Sequence, residues 1–351
     1  MRKSRQQLGL KILLYAILIT FILLIWFPDP FGNYCARTPP TPRPIVASNI
    51  SIQHLWTQCA GIFAHASGIL IHNDAVIFGD FYRDTLSALD VQTGKQHWQM
   101  SLEAHFPLQL DQERQRIYTH TMYPMLREIY AIDANSGEVV WFNNSYKNSG
   151  SIINPILLTH DKLIAMGMSE VRQINIDTGE IGAAINLYAY QVFRGGYAWL
   201  IRDGYLTAID AITGNTYWQA VEVSPTSCCL RAVQTNDGVV IAIFDSSFTV
   251  YDQLSHEIRW KNSDNKRVYY PTLTEATVYT LDIHGSLRAL DIFDGTEIGY
   301  VNFEPPAPGH EGHSSDGIGS SQLVADDNHL AIFFGDTDML SVYHITLPPS
   351  N

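Results

Sequence analysis

Two apolar patterns divide the chain. Residues 12–27 hold no charged side chain. With Leu8, Gly9, Leu10 and a snorkelling Lys11 the apolar span reaches about 20 residues, the length that a bilayer core requires. Beyond residue 50 the pattern changes. Apolar positions come in short runs separated by polar, often glycine-containing turns, and the three-and-four spacing of amphipathic helices is absent. Residues 106–142 show the rhythm: Phe106–Leu110, Arg116–His120, Glu128–Asp133 and Glu138–Phe142 read as four successive strands. Ala75–Gly79, Leu163–Gly167, Val239–Phe244, Thr277–Leu281 and His329–Phe334 read as second strands of equivalent units.

A phrase recurs through this second region: small residue, apolar, Asp, two residues, Thr or Ser, Gly, then Trp a few positions on. Its clearest copies are Ala88–Gly94 with Trp98, Ala131–Gly137 with Trp141, and Ala208–Gly214 with Trp218. Weaker copies run through Ile174–Gly179, Tyr251–His256 with Trp260, and Leu290–Gly295, and a degenerate one through Ser341–His344. The Asp-equivalent positions 90, 133, 175, 210, 252, 291 and 344 are separated by 43, 42, 35, 42, 39 and 53 residues. A period near 40 made of strands predicts a β-propeller. Within the phrase the Asp accepts hydrogen bonds from the turn amides, Gly takes the left-handed turn position, and Trp fills the space between neighbouring blades. Seven-fold recurrence makes this aspartate series a turn-building device rather than a set of catalytic acids.

The two ends of the region set the blade count. Trp56 lies 42 residues before Trp98, one full period, yet no Asp-Gly phrase precedes it. Ile52–Gln58 is therefore an orphan outer strand. The last repeat stops after its third strand, near Ile345 and Thr346. If the orphan completes that repeat, the ring closes on itself with seven blades and no exposed edge. The chain then divides into residues 1–11 in the cytoplasm, 12–27 as a transmembrane signal anchor, 28–50 as a proline-rich stalk and 51–347 as an all-β, seven-bladed propeller. Arg2, Lys3 and Arg5 precede the apolar run and hold the N-terminus inside, so the propeller is expected outside the cytoplasm. A cleaved signal peptide is the alternative, but no small-x-small site follows, and Cys35 sits in no lipobox. Thr38–Pro44 carries four prolines in seven residues, a composition for an extended spacer.

The Ala-x-Asp-x-x-Thr-Gly-x-x-x-Trp phrase resembles the repeat of the PQQ-like, or quinoprotein alcohol dehydrogenase-like, propellers. The resemblance covers about residues 52–346. It implies the fold and leaves the activity open, because that family holds dehydrogenases, outer-membrane assembly lipoproteins and binding propellers.

Charge narrows the partners. The formal net charge is −13; residues 50–351 hold 16 of the 22 basic and 34 of the 35 acidic residues, a net of −18. Such a surface repels nucleic acid and anionic lipid. Two places could carry chemistry. Adjacent Cys228 and Cys229 match the vicinal disulfide that the resemblance associates with PQQ-dependent enzymes. Those enzymes are longer, have eight blades and add a calcium site with a catalytic Asp that has no counterpart here; buried thiols or an incidental disulfide are the other reading. His310, Glu311, His313 and Asp316 fall within one glycine-flanked loop and could bind a divalent metal, or be a solvated loop. Cys35 and Cys59 could pair with each other, although spacing alone does not fix connectivity. Phosphate loops, nucleophile elbows and Cys-x-x-Cys motifs are absent from the sequence. The expectation is a non-enzymatic binding or scaffolding propeller at a bacterial cell membrane, monomeric, without cofactor, serving a protein or peptide partner. The alternatives are a small or degenerate PQQ-dependent oxidoreductase and an envelope-protein assembly factor.

Overall fold

The third strands of the repeat end in Asp and the outer strands carry Trp, and this phrase organises the whole molecule. The computed structural model describes residues 44–348 with breaks at 61–67, 81–82, 103, 122–127, 145–151, 159–161, 168–170, 186–191, 195–196, 211–212, 214, 224–229, 231, 237, 245–246, 263–270, 283–284, 304–321 and 335–338. Seven antiparallel sheets are present among the described residues, six of four strands and one of five. The first four-stranded blade runs Ile69–His72, Ala75–Asp80, Thr85–Asp90 and Gln96–Ser101, each strand hydrogen-bonded to the next. The second runs Ala104–Asp111, Arg116–Thr121, Ile129–Asp133 and Val139–Asn143, matching the sequence pattern to within a few residues at each end. Blades three to six repeat this meander, their third strands ending at Asn175, Asp210, Asp252 and Asp291.

Closure is as the orphan strand implied. Ser51–Cys59 pairs antiparallel with Met339–Thr346, Ser51 opposite Thr346 and Cys59 opposite Met339, and so supplies the outer strand of the last blade. The hydroxyls of Thr57 and Ser341 add a hydrogen bond of 2.9 Å across this pair.

One strand lies where the sequence suggested stalk. Pro44–Ser48, here β1, pairs with Glu297–Phe303 and makes blade six five-stranded. Asn49 then turns the chain at φ 60°, and Ser51–Cys59, here β2, begins at once in the neighbouring blade. Asn tolerates this left-handed turn better than most residues. Ile45, Val46 and Ala47 after a leading Pro44 suit an edge strand, because a proline at the first position sacrifices no interior ladder bond. Gly299 makes the fit possible: a Cβ there would stand 2.3 Å from the Ser48 carbonyl oxygen and 2.7 Å from Ile50.

The core lies between blades. Leu86, Ala88 and Trp98 of blade one pack with Ile117, Ile132 and Ala134 of blade two. Trp218 and Leu206 of blade four pack with Val240 and Tyr251 of blade five. Ile50, just after β1, is buried with Tyr279, Val301 and Tyr343 between blades six and seven. The expected anchor, residues 12–27, lies outside the described residues. No helix among the described residues is long and apolar enough to cross a membrane.

Candidate functional site

Antiparallel blades sort their connections onto two faces. Turns from first to second strand and from third to outer strand share one face; second-to-third turns and blade-to-blade connections share the other. The first of these, the turn face, is described except at residues 159–161, 195–196, 211–212, 214 and 237. On the opposite face Asp80 and Asp282 are buried at the ends of second strands. Asp80 accepts from the Arg83 amide at 3.2 Å and the Arg83 guanidinium at 3.1 Å, and Asp282 accepts from the Ser286 amide at 2.8 Å. Both are occupied in holding their own turns.

On the turn face each strand-ending carboxylate behaves as the phrase predicted. Asp90 accepts from the Thr93 amide at 2.7 Å, Asp133 from Ser136 at 2.8 Å, Asp210 from Thr213 at 2.6 Å and Asp252 from Ser255 at 2.7 Å. The amides of Gly94 and Gly137 return to the carbonyls of Asp90 and Asp133. The Asp90 carboxyl is held below the ordinary carboxylate range, first by the Thr93 hydroxyl. Asp252 is pulled down to about 2, first by the Ser255 amide and then by the Arg259 guanidinium, 2.6 Å away. Carboxylates so ionised and so filled with donors are poor proton shuttles at neutral pH.

A tryptophan from the preceding blade locks five of these turns. Trp56 donates its indole N–H to the Val91 carbonyl at 2.9 Å, Trp98 to Ala134 at 3.1 Å and Trp141 to Ile176 at 3.0 Å. Trp218 does the same to Gln253 at 3.0 Å and Trp260 to Ile292 at 3.1 Å. The acceptor is in each case the residue after the strand-ending Asp or Asn. The spacing of Trp and Asp in the sequence announced the packing but not this hydrogen bond. Polar side chains add clasps at the same level. His72 pairs with Gln115 at 2.9 Å, joining blades one and two, and Arg116 with Asp177 at 3.2 Å, joining blades two and three.

His329 is the residue most like a catalytic base. Its Nδ1 lies 3.1 Å from both Asp326 carboxylate oxygens, while Nε2 is bound by Gln92 at 2.6 Å. An Asp-His pair whose outer nitrogen is taken by an amide side chain works as a clasp between blades seven and one. Among the described residues no group of three or more His, Cys, Asp or Glu is placed to hold a metal ion. Cys59 is disulfide-bonded, and its partner lies outside the described residues. Cys35, Cys228, Cys229, His310, Glu311 and His313 lie outside them as well. What the face offers to a ligand is surface. Leu254 and Phe293, at the tips of the turns of blades five and six, are 89% and 63% exposed.

A closed ring of seven blades, five of whose junctions are locked by the Asp-turn and Trp phrase, defines a β-propeller of the PQQ-like repeat class. The family described as outer membrane protein assembly factor BamB matches residues 51–191 and 202–334, and the chain belongs to that family. The crystal structure of BamB from Moraxella catarrhalis is similar at 15% identity with a TM-score of 0.50, over 85% of this chain and 100% of that one. The computationally designed Ika8 protein is similar at 12% identity with a TM-score of 0.51, over 82% of this chain and 100% of that one. At these identities the likeness speaks for the fold alone. No curated protein matches the chain.

Proposed function

We propose that the chain is a non-enzymatic binding propeller, tethered outside the cytoplasm of a bacterial cell by its N-terminal apolar segment, and that it holds protein partners during assembly of envelope proteins. The observation that carries this reading is the family match across nearly the whole ring. The engaged state of the turn carboxylates and of His329 supports a binding role over catalysis. The disulfide at Cys59 suits an oxidising compartment outside the cytoplasm. A rigid ring that presents turns and loops on two faces serves protein partners without itself rearranging.

The test is genetic and biochemical. Depletion of the chain is expected to lower the fraction of heat-modifiable, folded outer-membrane proteins, and the full-length chain is expected to restore it. A reporter active only outside the cytoplasm is expected to work when fused after Asn351. Unchanged outer-membrane protein folding after depletion overturns the assembly role. Activity of a cytoplasm-only reporter at the same fusion point overturns the placement.

A further inference from the structure

The turn face is not uniform round the ring. The second position after the strand-ending Asp or Asn is Gln92, Asn135 and Asp177 in blades one to three, and each is exposed. The sequence changes to apolar at the same position in the next three blades, with Ile212, Leu254 and Phe293. Ile212 lies outside the described residues; Leu254 and Phe293 are both exposed. We propose that the turns of blades five and six form a docking surface for a polypeptide segment whose apolar side chains are bracketed by Lys or Arg. The proposal rests on the reading of the chain as a protein-binding propeller and names the face that binds.

The hydrogen bonds that close the turns do not use these side chains. The Leu254 amide donates to Asp252 at 2.9 Å and the Phe293 amide to Asp291 at 2.7 Å, backbone contacts that any residue would make. A leucine left 89% exposed forgoes the burial that ordinarily stabilises such a side chain. The equivalent positions in blades one to three are polar, as a solvated turn would be. Both tips are held in place beforehand, because Trp218 and Trp260 grip the carbonyls immediately preceding them, those of Gln253 and Ile292. Arg259 ties the two tips together: it pairs with Asp252 in the blade-five turn at 2.6 Å and lies 5.1 Å over the ring of Phe293 in the blade-six turn. Little ordering is therefore left to do on binding.

Charge selects the occupant. The turns from 252 to 258 and from 291 to 297 carry Asp252, Glu257, Asp291, Asp294 and Glu297 and no Lys or Arg. Arg259 and Arg288, just outside these turns, are matched by Asp252 and Glu297, and the surplus of Glu257, Asp291 and Asp294 is acidic. Acid around an apolar pair favours a segment with basic flanks and disfavours anionic lipid, and it disfavours a second copy of this acidic chain.

The experiment uses the full-length chain and a fluorescein-labelled synthetic peptide of alternating Leu and Lys, read by anisotropy. Saturable binding is expected, weakened at least about tenfold in the double variant L254S/F293S, as loss of about 1.4 kcal/mol of apolar contact requires. A Ser-Lys and a Leu-Glu peptide are expected to bind about tenfold more weakly than the Leu-Lys peptide, and N135S is expected to bind that peptide like the unaltered chain. Because Leu254 is solvent-exposed and Phe293 gives up only its contact with Arg259, the melting temperature of L254S/F293S is expected to fall by no more than about 4 °C. Equal binding by the double variant overturns the proposal. So does a finding that the two side chains are needed instead for binding phosphatidylcholine vesicles or for self-association in sedimentation, which would make a membrane or a second copy the occupant. If L254S/F293S binds the peptide normally while the chain restores outer-membrane protein folding, the docking face falls and the assembly role stands. If depletion leaves that folding intact while L254S/F293S loses the peptide, the assembly role falls and the face stands.

Discussion

At the turn of blade two, Gly137 has a φ of +74°, and a Cβ there would stand 2.6 Å from the ring of Trp98. Two effects oppose any other residue, and blade five shows which is larger. There His256 occupies the equivalent position at a φ of 64°, with its ring 5.0 Å from that of Trp218. The left-handed backbone is thus tolerated by a non-glycine residue where the tryptophan makes room. At Gly137 the tryptophan does not. Gly137→Ala is expected to destabilise the domain by about 2–5 kcal/mol, combining about 1–2 for the left-handed backbone with about 1–3 for overpacking. The check is the urea midpoint, with an unchanged slope showing that the unfolding transition keeps its character. A loss under about 1 kcal/mol would mean that Trp98 moves aside freely. The glycines and tryptophans of the phrase were legible in the sequence because they recur. Their hydrogen-bonded partners were not, because a backbone carbonyl carries no residue signature. Leu254 and Phe293 stood in plain view, but in the sequence a turn leucine looks like any other weak copy of the phrase. Only its exposure distinguishes it.

At the scale of elements, β1 is what the sequence concealed. Pro44–Ser48 follows a run of prolines and has no phrase of its own, so its three apolar residues read as the end of a linker. The signal that could have found it lies in its partner: an outer strand with glycine at position 299 where a neighbouring backbone must pass. Gly182, in the outer strand Ile181–Ile185 of blade three, provides the comparison. A Cβ there would meet nothing nearer than 3.4 Å. Gly299→Ala is therefore expected to expel β1 from the edge of blade six, and Gly182→Ala is expected to change nothing. Amide exchange at Val46 and Ala47 should accelerate in the first variant only, and limited proteolysis should newly cut between residues 44 and 50. Exchange as slow as in the unaltered chain would show that β1 slides rather than leaves. The released edge of Glu297–Phe303 would expose unpaired backbone groups, a template for association with another chain.

At the scale of the whole molecule, the seven-blade count was legible because closure is a matter of register and period. Trp56 stands one period before Trp98, and the last repeat lacks one strand. The structure joins the two facts: β2 supplies the missing strand along residues 51–59, and Trp56 reaches Val91 of the first blade as every other locking tryptophan reaches its neighbour. The chain's beginning therefore holds its end, and it does so twice, through β1 on blade six and β2 on blade seven. A truncation series separates the two. Under reducing conditions, which remove the Cys59 disulfide from every species, a fragment of residues 44–351 keeps both strands and should melt like the intact chain. A fragment of residues 51–351 loses β1 and the buried Ile50, and should be weakened by about 2–5 kcal/mol, the cost of emptying a buried isoleucine site. A fragment of residues 59–351 also loses the last blade's outer strand, the Thr57–Ser341 bond and the Trp56 lock. Domain stability is only about 5–15 kcal/mol, and loss of a whole strand with the half-buried Trp56 opens the last blade's edge, so this fragment is expected to unfold or aggregate. Size-exclusion profiles and melting curves of the three fragments provide the reading. A monomeric 59–351 fragment with the melting temperature of 44–351 would show that β2 closes nothing, and that the ring is held by its interblade cores alone.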